Sequence, residues 1–340
     1  MRRILLRRGL QSIAVALGIG LLAFVITRLL PGDAAATWAG PRASAAELAR
    51  VRVQLGLDQP IPQQALHYLV DLITLNWGIS IHTRQPVLRD VLGRFMTSFE
   101  LVTFALVIAA AIGIPLGVLA ARWKGRPPDW LAGLSSSVLV AIPTFWLALL
   151  LQLVIATQLK WLPVAGRWDR TLNDAAQAAT VTHMVIVDSI LAGNWALLVS
   201  GISHMILPAF VIAAYPIGLF ARLTRAGLLE TMSEEHVRMA RAIGYPERTI
   251  IWRFALRPSL GPVLSALALV FGFALGNTFL VENLFNFQGL GSYAVDSINA
   301  LDAPAIAGTT ILVALAYLVA NLVVDLVRPI MDPRLRDPAR

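Results

Sequence analysis

Cysteine is absent from the 340 residues, so the chain has no disulfide framework, thiolate metal site or cysteine nucleophile. Lysine is nearly absent. The only two, Lys124 and Lys160, stand outside any G-x-x-x-x-G-K-[ST] loop, in which backbone amides and one lysine cradle the phosphates of a nucleotide. The polypeptide is therefore not expected to hydrolyse ATP by itself. Charge of either sign is scarce, at 14% of residues against 57% hydrophobic. With a mean hydropathy of +0.70, the chain is too apolar for a water-soluble domain of this length.

What is present in quantity is hydrophobic runs. Six are long enough to cross roughly 30 Å of hydrocarbon as helices: Leu10–Leu30, Leu101–Ala121, Leu134–Ala156, Met205–Ala221, Ser259–Val281 and Ala303–Val324. The uncharged stretch before Ala221 is too long for one straight span, and Gly201-Ile202-Ser203-His204 is its expected break, with an interfacial segment ahead of it. The first run is longer than a secretory signal core and is expected to stay as an uncleaved span. If the N-terminus is inside, 18 of the 28 Lys and Arg lie on the inner side and 9 on the outer side, where there are 11 Asp and Glu. Basic residues near span ends are retained inside, so both termini are expected in the cytoplasm. That distribution also points away from nucleic acid as the partner for the net charge of +8.

A proton- or sodium-driven carrier shows ionisable groups at mid-membrane depth. Here Arg28, Glu100 and Asp325 fall at the ends of apolar runs, where side chains can reach the interface. His204 sits at the expected break and reads better as a hydrogen-bonded residue than as a proton relay. No H-E-x-x-H, no G-x-S-x-G and no carboxylate pair within a span occurs, which argues against an intramembrane enzyme.

Between the runs, Pro31–Ser98 is the longest polar region. Ser44 and Glu47 have capping-box spacing, Leu48, Val51 and Leu55 follow at helical intervals, and Gly56 stops the helix. A second helical pattern covers Pro62–Leu75, and together these suggest a small outer cap. The loop Gln158–Ser203 carries Trp161, Trp168 and Trp195, as interfacial anchors would.

The segment Thr231–Pro262 is far longer than a link between two spans needs. Ser233 is placed to cap a helix with Glu234 and Glu235 in its first turn, running to about Ile243 with Gly244 at the C′ position. Pro246 then suits the first position of a second helix bearing Ile250, Ile251, Phe254 and Ala255. Val237, Ala240 and Gly244 form a small-residue stripe flanked by Arg238 and Arg241. Such a stripe lets a partner approach closely while the arginines fork onto its carboxylates or carbonyls. An amphipathic helix on anionic headgroups is the blander alternative, and leaves the break and the second helix unexplained.

This loop resembles the EAA motif of ABC importer permeases, in which a glutamate and an alanine pair precede a fixed glycine. The pattern falls on Arg238-Met239-Ala240, Gly244 and Phe254-Ala255-Leu256, with Arg238 in the glutamate place and Met239 in that of the first alanine. The arginine is similar to the dipeptide/oligopeptide/nickel branch, as are Arg28–Asp33, Leu55–Pro60, Gly113–Val118, Trp161-Leu162-Pro163, Phe285–Gly291 and Asp332–Arg336. Leu75-Asn76-Trp77-Gly78 departs from that branch.

The resemblance implies an all-α integral membrane protein of the type I importer fold, with six transmembrane helices and a large first extracytoplasmic loop. Residues 1–98 would form the first span and cap, 99–330 the permease domain with its coupling loop at 231–258, and 331–340 a cytoplasmic tail. It implies the first of two permeases in the bacterial inner membrane, working with a second homologous permease, two cytoplasmic ABC ATPases and an extracytoplasmic substrate-binding protein. ATP and Mg would be bound by those ATPases, and no cofactor by this chain. Glu235, Val237, Arg238, Ala240, Arg241, Gly244, Tyr245 and Pro246 are expected to couple to an ATPase. Thr103, Thr144, Trp146, Gln152, Asn277 and Asn321 are candidate liners of the path for peptides or similar solutes, although helix packing can equally explain each. A carrier or channel not driven by ATP, and a membrane scaffold, are the competing functions.

Overall fold

The computed structural model describes residues 15–331 except 27, 29–33, 41 and 55, and only the backbone of 34, 37 and 325–331. The described residues are helical throughout, joined by turns and one isolated bridge, Ile79 to Pro86. They divide into two compact units: one runs to Ser98 and includes Gln288–Leu318, and the other comprises Phe99–Phe287 with the residues from Val319.

In the first unit, α1 (Val15–Ile26), α2 (Ala34–Ala39), α3 (Ala45–Gln54) and α4 (Ile61–Ile73) precede α5 (Val87–Arg122). The Ser44 cap forms as expected: its Oγ accepts the Glu47 N–H at 3.3 Å, and Gly56, at φ +60°, ends the turn after α3. The remainder comprises α15 (Leu290–Asn299) and the start of α16 (Ala303–Met331). The join is made by polar groups with buried partners. Asp302 is fully buried, accepting from Ser80 Oγ at 2.6 Å, His82 N–H at 3.0 Å and Ala305 N–H at 3.2 Å. Ser98 Oγ accepts the first amide of α15, Leu290 N–H, at 2.7 Å.

The second unit is organised by α10 (Trp195–Thr231), whose first turn is capped by Asn194 accepting the Leu197 N–H at 3.0 Å. The expected break at Gly201–His204 does not occur: the helix is continuous for 37 residues, with Pro208 and Pro216 inside it. His204 sits within it, buried, with Nδ1 2.8 Å from the Ser200 carbonyl, so a local hydrogen bond replaces the irregular backbone. Around α10 lie α5, α6 (Pro127–Ala141) and α14 (Gly261–Leu284). Backbones approach until no side chain fits between. A Cβ on Gly117 would lie 2.5 Å from the Ala221 carbonyl oxygen, one on Gly113 2.7 Å from that of Ile217, and one on Gly218 2.5 Å from that of Ser136. Small residues at crossings are how helices pack where lipid removes the hydrophobic drive for association.

The span expected at Leu134–Ala156 is not straight. α6 and α7 (Thr144–Leu151), the latter continued by wider π-helical turns to Gln158, meet at 102° across Ile142-Pro143. Proline cannot donate to the preceding turn and disfavours helical geometry in the residue before it, and Ile142 accordingly is extended at ψ 126°. Among the described residues, four helices are long and apolar enough to cross a membrane, and five if the bent pair counts as one span. Of the first expected run, only Val15–Ile26 and Arg28 fall within the described residues.

Candidate functional site

The loop after α10 folds into a short helix, α11 (Glu235–Ala242), and a second rod of three pieces, α12 (Glu247–Thr249), π-helical Ile250–Ala255 and α13 (Leu256–Ser259). Ser233 is not the cap. Its hydroxyl donates back to the Glu230 carbonyl at 2.7 Å, closing off α10, and Glu234 takes the cap position with extended ψ 154°. Gly244 does occupy the C′ position at φ +92°, where residues bearing a Cβ are disfavoured. Pro246 stands one place ahead of the second rod, as its cap, rather than inside it.

The faces of α11 separate cleanly. Val237 is fully buried and Ala240 nearly so, in a cluster with Val118, Ala121, Leu228, Ile250, Ile251, Ala255 and Leu256. Each such Val or Ile contributes roughly 2 kcal/mol of burial. The expected small-residue stripe therefore roots the helix in its own chain. Glu235, Arg238, Met239, Arg241, Ala242, Ile243 and Tyr245 are exposed, with Met239 66% and Ile243 69% accessible. Arg241 is held within the chain by Glu247, Nε to Oε1 at 2.7 Å, a contact that raises its already high pKa further. His236 Nε2 reaches the Phe254 carbonyl at 3.2 Å and the Tyr245 ring tilts against Phe254 at 5.2 Å, tying the two rods together. Met239 and Ile243, four apart and opposite Val237, were the overlooked positions; their helical spacing was the available signal.

The candidate path residues do not form one site. Thr144 and Asn277 line a shared cleft of about 70 Å³ with Tyr215 and Phe273. Asn277 donates to the Phe273 carbonyl at 2.9 Å. Gln152 uses its amide on the Val164 and Leu284 carbonyls, at 3.1 and 3.0 Å, and so ties the bent pair to its own following loop and to the end of α14. Thr103 and Trp146 are exposed elsewhere, and Asn321 is half-buried.

Glu100 corrects a further expectation. Its side chain does not run out to an interface: it is buried and accepts Val185 N–H at 2.8 Å and Ile186 N–H at 2.7 Å, at the start of α9 (Val185–Leu191). Arg167 lies 3.9 Å from it and donates to the His183 carbonyl at 2.7 Å. Hydrophobic periodicity holds no trace of this, because the partners are backbone groups 85 residues away. Asp325 has no described side chain. At the other end of α10, Arg225 grips Asp129 with two bonds, 2.6 and 2.9 Å, and Asp129 also accepts the Gly125 N–H at 3.0 Å.

A bundle of apolar helices bears a two-rod element, between α10 and α14 in the chain, that is rooted on one face and open on the other, the build of a membrane protein. The chain belongs to the family described as the inner membrane component of binding-protein-dependent transport systems, which matches residues 113–337, and the N-terminal part of the membrane component of such systems matches residues 1–102. It is 39% identical over 332 residues to a probable D,D-dipeptide transport system permease of Escherichia coli K12, covering 98% of this chain and 97% of that one. The dipeptide transport system permease of the same strain is 34% identical, with 99% of both chains covered. The glutathione transport system permease of Salmonella typhimurium LT2 is 33% identical, over 97% of this chain and 98% of the relative. The protein is thus a permease subunit of an ABC importer of the dipeptide/oligopeptide branch, a multi-pass inner membrane protein and not an enzyme.

Proposed function

We propose that this permease imports short peptides, as one of two homologous permeases acting with two cytoplasmic ATPases and an extracytoplasmic binding protein. ATP and Mg then bind only in the ATPases. The chain crosses the membrane six times with both termini inside, which puts α11 in the cytoplasm. Relatives named for dipeptide, D,D-dipeptide and glutathione transport support the substrate class.

One observation carries the coupling role: α11 is rooted by Val237 and Ala240 yet offers Arg238, Met239, Ala242 and Ile243 outward. A lever must be fixed at one face and gripped at the other. Met239 and Ile243 fill an apolar groove on the ATPase, and Arg238 supplies a charge at its rim. The path itself lies between the two permeases, with Thr144 and Asn277 on this side of it.

Because the chain has no cysteine, a single Met239→Cys variant carries the one thiol this subunit contributes to a cross-link. In proteoliposomes it should form an adduct with a cysteine placed in the ATPase groove, in a yield that changes with nucleotide. Met239→Asp with Ile243→Asp should leave insertion intact and abolish uptake. Full peptide uptake by that double variant would end the coupling assignment.

A further inference from the structure

The first unit contains a cavity of about 490 Å³, within the size range of small-ligand pockets. One of its walls is a stripe of α4: Gln64, His67, Tyr68, Asp71 and Leu72 recur at i, i+3, i+4, i+7 and i+8, which is one helical face. Phe24, Trp38 and Trp77 add aromatic surface, and Pro304 and Ala307 of α16 close another side. The outer face of α4, with Leu66, Val70 and Ile73, points elsewhere and is exposed.

The polar groups in this wall have unused capacity. Arg28 stacks on Phe24, with its guanidinium carbon 5.3 Å from the ring centroid, and donates one N–H to Gln64. A guanidinium carries five donors, and no carboxylate pairs with this one among the described residues. The Tyr68 hydroxyl is shielded from solvent with no hydrogen-bond partner in the described structure, and its ring lies 5.6 Å from that of Phe24. At the far end, Asp71 accepts one bond from Asn76 at 3.3 Å and has no cationic partner among the described residues. From Gln64, beside Arg28, to Asp71 is seven residues of α4, or about 10 Å.

We infer that this cavity is a binding pocket for a short free peptide, its carboxylate on Arg28 and Tyr68 and its amino group on Asp71. The inference rests on the peptide-importer reading and extends it to a site in this chain separate from the helix-lined path. Opposite charges some 10 Å apart match a peptide of about three extended residues, each spanning 3.3–3.6 Å. A zwitterionic lipid headgroup, whose phosphate and amine are separated by two methylenes, cannot reach both. The aromatic walls take side chains without selecting among them, so recognition falls on the two termini.

The test is calorimetric titration of the intact membrane complex in nanodiscs, without the binding protein, using trialanine, its C-terminal amide and its N-acetyl derivative. Trialanine should bind, and each blocked form should bind at least tenfold more weakly, the loss typical of one charge-assisted hydrogen bond. Arg28→Gln should weaken trialanine tenfold while leaving the amide unchanged, and Asp71→Asn should do the same for the free and acetylated amines. Equal binding of all three peptides to the wild type, no heat at millimolar peptide, or displacement of peptide by phosphatidylethanolamine in place of phosphatidylglycerol would each overturn the assignment. The comparison of peptides on the wild-type protein does not depend on either variant folding. ATP-driven uptake of trialanine by the wild-type system separates the two claims. Uptake without binding in the pocket removes only the pocket, whereas absence of uptake removes the peptide-importer reading.

Discussion

Single polar residues decide much of this fold because most of the chain has nothing but apolar surface to offer. Glu100 shows the cost of changing one. Glu100→Ala strands two amides at the start of α9, one buried and one half-buried, and should destabilise the purified protein by about 2 kcal/mol in thermal unfolding followed by tryptophan fluorescence. Glu100→Gln, which keeps an acceptor oxygen, should lose less. Gly244 makes the opposite point. Nothing lies within 4 Å of where its Cβ would be, so its requirement is conformational and not steric. Gly244→Asn should retain uptake, since asparagine tolerates positive φ, whereas the β-branched Gly244→Val should lose it by distorting the end of α11. Equal uptake by both variants would remove backbone geometry as the reason for that glycine.

Among the elements, α10 is the axis of its unit, and its neighbours are fitted to it by the absence of side chains. Gly117→Val would drive a branched side chain into the Ala221 carbonyl and the Thr224 side chain, 2.5 and 2.6 Å from the first added carbon. The expected loss is about 2 kcal/mol or more, read as a lower midpoint in thermal unfolding. Gly276→Ala on α14, with nothing within 4 Å, should be tolerated in the same measurement. The residues of α11 were legible as a helix, with its Gly244 stop and its amphipathic character, but the sides were not. A stripe of small residues has the same appearance whether it faces a partner or the protein's own core. Only the positions of Ile250, Ile251 and Leu256 show that Val237 and Ala240 point inward. The bend at Ile142-Pro143 carried a local signal, one proline inside an apolar run, whereas the continuity of α10 through Gly201 went against such a signal, because a glycine packed against Val185 is retained in a helix.

At the scale of the whole molecule, two phenols of the first unit tie stability to high pH. Burial pushes both Tyr68 and Tyr293 of the first unit up to about 12 from an ordinary 10. Raised acids of this kind leave stability intact below pH 10; above it the unfolded chain releases protons that the folded one retains, and stability falls as pH rises towards 12. Tyr68 and Tyr293 should give a late phase when absorbance at 295 nm is followed, and Tyr68→Phe with Tyr293→Phe should remove it. A single phase in the unmutated protein would contradict the burial of both phenols. The membrane class, the helix-rich architecture and the family were all readable from the residues in order, because apolar run length and a motif are properties of contiguous sequence. Tertiary structure alone decided which face of α11 is open, that Glu100 and Asp302 serve buried amides, and that Arg28, Tyr68 and Asp71 share one cavity. Those facts depend on groups from a dozen to hundreds of residues apart meeting in space, and no local pattern encodes such a meeting.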